Sequence, residues 1–372
     1  MKKIQRREFL KTASVAAIAA GSGATFLAGC STDEKGKNVS VNTGKTYDWK
    51  MVTTWPPHFP LLGEYADKFA EWVGKMSGGR LKIHVYGGGE LVPALETFDA
   101  VSQGVAEMGH GAAYYWAGKS PAAQFFGSVP FGMNAQEVNA WFYEGEGIKL
   151  WQELYAPYGL VPMPCGNTGA QMGGWYNKEI NSVKDIKGLK IRMPGLGGKV
   201  ISKAGASSIL SPAGELYTDL ERGVIDALEW VGPYHDYLMG FNKIAKYYYY
   251  PGWHEPGSPL ELLINKNAYD ELPDDLREVI KTAAAASNVM MLSGFEAKNT
   301  EYYFKMKSEG VQFREFPAEV LDVFKRMTKE VITDIINSDP KSKKIFDSYS
   351  KFQKSISQWS DIAERNYPGA FS

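Results

Sequence analysis

The chain has 372 residues, with 41 Lys and Arg against 42 Asp and Glu and a formal net charge of -1. That balance provides no basic field for nucleic acid. The length suits two lobes better than one core, and an aromatic content of 13% suits a ligand cleft between them.

Residues 1–30 read as an export signal, because Lys2, Lys3, Arg6 and Arg7 precede an Ala- and Gly-rich apolar run that ends in Leu27, Ala28, Gly29 and Cys30. The run is too short and too rich in small residues for a membrane-spanning helix of about 20 residues. The stretch Arg6-Arg7-Glu8-Phe9-Leu10-Lys11 resembles a twin-arginine signal. Leu27 to Cys30 resembles the lipobox at which a lipoprotein is cut and its Cys acylated. Residues 31–46 contain almost nothing apolar, so burial cannot offset the entropy of ordering them, and they read as a tether. With Cys30 given to lipid, Cys165 is the one cysteine left. No intramolecular disulfide is then possible, and the apolar run around Cys165 predicts a buried, inert thiol.

The mature chain opens with a strand over 49–54. A helix follows, with Leu61, Leu62, Tyr65, Phe69, Trp72, Val73 and Met76 at helical period, and Gly78 and Gly79 end it. A strand over 81–86, a turn at Gly87 to Gly89, a helix over 94–103 and a strand over 106–109 complete a β-α-β-α-β alternation. This is the mark of an open sheet flanked by helices. One long helix is expected over 135–155, then strands over 160–164, 172–176 and 189–193. Helices over 197–206 and 212–222 precede a strand over 224–230, and further strands lie near 246–250 and 260–265. Residues 266–308 and the last stretch of the chain read as helical. The fold class is α/β with two lobes. Residues 47–165 form mainly the first lobe, to which a later strand returns, 166–265 mainly the second, and 266–372 a long helix and a C-terminal helical segment.

Enzymatic machinery is not assembled in this pattern. His58, His84, His110, His235 and His254 include no pair at zinc spacing, and neither a Gly-x-Ser-x-Gly elbow nor a phosphate loop occurs. Arg192 stands at the end of a predicted strand, before Pro194 and Gly195, where clefts open, and its planar fork matches a carboxylate. Gln171, Glu229, the backbone carbonyl of Trp230 and Glu255 offer only oxygen atoms, the ligand set of a hard cation such as Na⁺ or Ca²⁺. Two carboxylates beside an anion would repel it and each other unless a cation intervenes. Trp55, Tyr114, Tyr115, Trp175 and Trp230 are candidates for the cleft wall.

Five runs carry a family resemblance. They are Gly166-Asn167-Thr168-Gly169-Ala170-Gln171-Met172-Gly173-Gly174-Trp175, Lys187-Gly188-Leu189-Lys190-Ile191-Arg192-Met193-Pro194-Gly195, the run from Leu216 to Ala227, Glu229-Trp230-Val231-Gly232-Pro233, and Gly252-Trp253-His254-Glu255-Pro256-Gly257. In this order the chain resembles the periplasmic binding proteins of tripartite ATP-independent periplasmic (TRAP) transporters. The Glu229-Trp230 pair and the later His254-Glu255 point to the branch that binds α-keto acids. The resemblance implies two α/β lobes hinged by crossing strands, a long helix along the back, and a ligand in the cleft. It implies a substrate set of Arg192, Gln171, Trp230, Glu255, Tyr115 and Trp55, with one of the Tyr114–Tyr115 pair as a hydrogen-bond donor. A metal cation, Na⁺ or Ca²⁺, would be held by Gln171, Glu229, Trp230 and Glu255. The expected ligand is a 2-oxo monocarboxylate such as pyruvate; a 2-hydroxy acid such as lactate, or a sugar acid, is the alternative. The expected partners are the TRAP membrane subunits and a second copy joined by exchange of a C-terminal helix. The expected location is the periplasm or the outer face of the cytoplasmic membrane, anchored through Cys30.

Overall fold

The computed structural model describes residues 44–363. The export signal, Cys30 and most of the tether lie outside the described residues.

The chain begins as β1 (Tyr47–Thr53), α1 (Leu62–Met76), β2 (Leu81–Tyr86), α2 (Thr97–Ser102) and β3 (Met108–Gly111). β1 pairs in parallel with both β2 and β3, as short strands joined by helical crossovers must. Next come α3 (Ala135–Tyr143), α4 (Gly147–Tyr155) and β4 (Leu160–Asn167), and a much later strand, β10 (Pro259–Asn265), returns to this sheet. The strand order is β2-β1-β3-β10-β4. β10 lies between two neighbours and is buried along nearly its whole length, which is why it is mostly apolar; its one carboxylate, Glu261, accepts from the Trp116 indole and from Tyr155 OH. Pro162 and Pro164 are tolerated in β4 because it is an edge strand, and the other edge, β2, turns Lys82 and His84 to solvent.

The second sheet collects β5 (Gly174–Tyr176), β6 (Lys190–Arg192), β7 (Ser207–Ile209), β8 (Ala227–Leu228), β9 (Tyr247–Tyr250) and β11 (Gln312–Glu315) in the order β11-β9-β5-β8-β6-β7. α5 (Gly195–Lys203), α6 (Leu216–Glu221) and α7 (Pro233–Leu238) connect its strands. After β10 the chain forms α8 (Lys266–Asp270), the 35-residue α9 (Asp274–Ser308), α10 (Ala318–Ser338) and α11 (Pro340–Ile362). α9 packs on β4 and α1 of the first lobe and on α7 of the second. No described helix is long and apolar enough to cross a membrane.

Three elements differ from expectation. The single helix over 135–155 is broken between α3 and α4, because a Cβ on Gly145 would stand 2.6 Å from the Trp141 carbonyl and one on Gly147 2.7 Å from the Phe142 ring. This close approach lets Phe142 and Trp151 stack at 5.3 Å. β8 has only two residues, and β11, at the start of the last stretch expected to be helical, adds an edge strand parallel to β9.

Two segments, 168–173 and 251–258, join the lobes and run side by side. Thr168 N–H donates to the Ser258 carbonyl at 3.0 Å, Gln171 N–H to the Glu255 carbonyl at 3.0 Å, and Gly173 N–H to the Tyr249 carbonyl at 2.7 Å. Their contact requires Gly252, where a Cβ would lie 2.0 Å from the Gln171 carbonyl oxygen. Gly174, where the crossing enters the second sheet, has φ +103° and a built Cβ 2.5 Å from the Leu228 carbonyl. Gly174→Ala should therefore lower unfolding free energy by about 2 kcal/mol or more, from left-handed backbone strain plus the clash. Urea denaturation measures it, and wild-type stability in the variant would contradict this account of the crossing.

Candidate ligand and cation site

The ends of four strands converge between the sheets. Arg192 closes β6, Glu229 follows β8, Trp55 lies two residues beyond β1, and Tyr114 and Tyr115 follow β3. Because β6 and β8 are paired, Arg192 and Glu229 are neighbours: Glu229 N–H donates to the Arg192 carbonyl at 3.1 Å. The Arg192 Nη1 in turn donates to the Glu229 carbonyl, and to Glu229 Oε2 at 3.1 Å. Both side chains are 1% exposed, so this ion pair is not a surface ornament. The guanidinium also lies over the Trp230 ring at 5.2 Å and acts electrostatically on the Tyr115 hydroxyl, whose ring is 6.3 Å from that of Trp55.

The crossing segments complete the cluster from the hinge side. Among the described residues, Glu229, His254 and Glu255 form the one group of three whose potential metal-ligand atoms all lie within 4.8 Å of one another. Gln171 donates through Nε2 to Thr168 Oγ1 at 3.0 Å, which leaves its Oε1 buried without a partner. Arg192 Nε, Trp230 Nε1 and Glu255 Oε2 are likewise buried and unpartnered. Native interiors leave few such atoms, so four in one place mark a site built for something else to fill. Carboxylate and amide oxygens of this kind fit a hard cation, and the free guanidinium nitrogen fits an anion.

Electrostatics agree with the geometry. Burial pushes Glu229 up to about 8, against the pull of Arg192, and burial together with the Glu229 charge pushes Glu255 up to about 7. Burial also lowers His254 to about 4, so its Nε2, 3.5 Å from Glu229 Oε1, is a neutral neighbour rather than an ion-pair partner. Arg192 is desolvated too, yet Glu229, Tyr115, Tyr114 and Glu255 outweigh that and hold it charged.

Arg192, Glu229, Trp230, Tyr115, Gln171 and Glu255 are thus brought together, with Trp55 and Tyr114 adjoining. Trp175 is not among them. Its ring stacks on Tyr248 at 4.1 Å and its N–H donates to Asp236 Oδ2 at 3.0 Å, which places it in the core of the second lobe. The sequence did not mark His254 as a possible ligand, although it directly precedes Glu255. Nor did it mark Asp236, which also accepts from Tyr248 OH at 2.7 Å and from Val231 N–H at 3.3 Å, bracing the segment after Trp230. His110 was likewise missed. Its Nδ1 accepts from the Trp55 indole at 2.7 Å, while Nε2 faces the Cys165 carbonyl at 3.3 Å, which also accepts from Ser287 on α9. Such buried supports carry no spacing signal in a sequence.

Residues 51–339 match the family model for bacterial extracellular solute-binding proteins, family 7. The chain belongs to this family. It is a periplasmic solute-binding protein of the TRAP class. It is 41% identical to the monocarboxylate 2-oxoacid-binding periplasmic protein of Nostoc sp. over 98% of both chains. Among solved structures, a TRAP solute-binding protein from Pseudoalteromonas atlantica, with bound sodium and pyruvate, is 43% identical with TM-score 0.86, over 88% of this chain and all of that one. Another from Colwellia psychrerythraea, with bound calcium and pyruvate, is 44% identical with TM-score 0.85, over 87% of this chain and 99% of the other.

The crowded carboxylates make a prediction about this chain without any ligand. A carboxyl group whose pKa is raised in the folded state stabilises fully below its unfolded value of about 4.5, and that stability is lost as pH rises through the folded value. For Glu255 the window therefore runs from 4.5 to about 7, and for Glu229 from 4.5 to about 8. The melting temperature of chelator-treated, ligand-free protein should fall between about pH 5 and pH 8, and Glu255→Gln should flatten the fall. Calorimetry across that range checks it; parallel curves for the two proteins would contradict the charge account.

Proposed function

We propose that the protein captures a 2-oxo monocarboxylate such as pyruvate, together with Na⁺ or Ca²⁺, and presents it to the TRAP membrane subunits without chemical change. One observation carries this: the wholly buried Arg192, with a free Nε, pairs with Glu229 and lies in the field of Glu255, to which Gln171, with a free amide oxygen, is bound through its backbone. In this proposal Arg192 takes the ligand carboxylate, Tyr115 donates to it, and Trp55 and Trp230 enclose its carbon chain. Gln171, Glu229, Glu255 and the Trp230 carbonyl would hold the cation, with His254 beside them. The ion would supply positive charge to the carboxylate and to the oxygen on C2. The pyruvate and cations named for the Pseudoalteromonas and Colwellia proteins support the same assignment.

Recognition through C2 predicts that pyruvate binds, that lactate competes less or equally well, and that propionate binds poorly. Stripping metal with chelator in sodium-free buffer should abolish pyruvate binding in titration calorimetry, and restoring Na⁺ or Ca²⁺ should recover it. Arg192→Ala should cost about 2–5 kcal/mol of binding. Undiminished affinity in metal-free protein would remove the chelate. Recovery of released pyruvate unaltered, by mass spectrometry, distinguishes a binder from an enzyme.

Anchoring and assembly belong to the same proposal. Cys30 would carry the lipid, so Cys30→Ala should release the protein from membranes with binding intact, read by fractionation and titration. α11 packs on α3, α4 and α10 of its own chain and leaves Trp359 and Ile362 exposed. Exchange of this helix between two copies would give a dimer, which light scattering would detect.

A further inference from the structure

The crossing segment 251–258, which carries His254 and Glu255, is held from two sides. On one side it pairs with 168–173. On the other it lies against residues 128–135, a stretch that contributes no side chain to the site. Phe131 N–H donates to the Trp253 carbonyl at 2.8 Å, and Ser128 Oγ donates to the Gly257 carbonyl at 3.2 Å. The backbones touch, since a Cβ on Gly257 would stand 2.4 Å from the Ala135 nitrogen. The Trp253 ring stacks on Phe131 at 5.8 Å and on Phe324 of α10 at 4.4 Å.

Residues 128–135 are in turn held by the C-terminal helix. Gln353 of α11 donates through Nε2 to the Phe131 carbonyl at 3.2 Å, and Tyr349 OH accepts from Met133 N–H at 2.8 Å. Phe131 therefore has its N–H bound to the crossing and its carbonyl bound to α11. It takes φ +55°, a left-handed backbone that an aromatic residue keeps only where its surroundings over-determine it. Gly132 allows the close approach, because a Cβ there would lie 2.4 Å from the Tyr349 hydroxyl oxygen. A chain of hydrogen bonds thus runs from Gln353 to Phe131 and from Phe131 to Trp253, whose next two neighbours in sequence are His254 and Glu255.

We propose that Gln353 and Tyr349 are positioning residues for the cation site, so that cation affinity depends on how α11 seats on residues 131–133. The proposal rests on the reading of Gln171, Glu229 and Glu255 as cation ligands. A ligand set works when its members are held to within about 0.5 Å of the productive geometry, and Glu255 sits on a backbone segment rather than on a strand or helix. Without the Gln353 bond the strained turn at Phe131 can relax, and the Trp253 carbonyl then loses its donor. The peptide that joins Trp253 to His254 gains freedom, and the cation must order it on binding. The anion contacts are spared, because Arg192 closes β6 and Trp55 follows β1, away from this support.

Gln353 is only half-buried, so replacing it leaves the core intact. Gln353→Leu removes the donor at nearly constant size, Gln353→Lys restores one, and Tyr349→Phe removes the acceptor for Met133 N–H. Ser348→Ala is the control, because it loosens the same helix where it meets Trp141 and Glu146 instead. Pyruvate is titrated by calorimetry into chelator-treated protein at rising Ca²⁺, and separately at rising Na⁺. Residues that bond a metal ligand directly carry about 10- to 100-fold in metal affinity, and a support further out carries less. Gln353→Leu and Tyr349→Phe should raise the cation concentration that half-restores binding by about fivefold, while pyruvate affinity at saturating cation stays within about twofold. Gln353→Lys and Ser348→Ala should stay close to wild type. An unshifted cation requirement in Gln353→Leu and Tyr349→Phe, or an equal shift in Ser348→Ala, would overturn the positioning role. Wild-type binding that needs neither ion would instead bring down the cation reading, and this proposal with it.

Discussion

Two carboxylates and one guanidinium in a closed, dry cleft do not balance, and the rest of the site is organised around that deficit. Glu229 is neutralised in part by Arg192, whereas Glu255 feels the same guanidinium only at longer range and retains an unpartnered oxygen. Desolvation makes each unpaired charge expensive, by several kcal/mol where the interior is dry. The neutral state of His254 adds no relief. In the proposed complex a cation would correct the balance and make an anionic ligand attractive rather than repulsive, so that ion and ligand would favour each other's binding.

The fold delivers these groups from three independent directions. Strand ends of the second lobe bring Arg192 and Glu229, strand ends of the first bring Trp55 and Tyr115, and the paired crossings bring Gln171, His254 and Glu255. The crossings are also chain connections between the two lobes. The Gln171 N–H bond to the Glu255 carbonyl holds these two residues in fixed register on the paired crossings. Neutral hydrogen-bond networks hold the pieces: Asp236 with Trp175 and Tyr248 on one side, and His110 with Trp55 and the Cys165 carbonyl on the other.

Much of this was legible in the sequence because strand ends and oxygen-rich motifs leave local marks. Arg192 reads as a site residue from its place before Pro194 and Gly195, and Glu229-Trp230 from the polar end of an apolar run. Long-range packing leaves no such mark. The break after α3 depends on how closely Gly145 and Gly147 approach Trp141 and Phe142, and β11 forms only because β9 offers it an open edge. Trp175 and Trp230 look alike in sequence, each beside a polar motif, yet one stacks on Tyr248 within the lobe and the other lies under the guanidinium. Trp175 lies within β5 whereas Trp230 follows the end of β8, and tertiary packing decides where each ring goes.

Cys165 is wholly buried in the edge strand of the first sheet, and burial pushes its thiol up to about 12. It therefore stays protonated and unreactive toward oxidants, and it has no cysteine among the described residues with which to pair. Among the described residues no cross-link has to form, and none can form wrongly. The described fold is therefore the same in a reducing compartment and an oxidising one, so its stability is free of redox control.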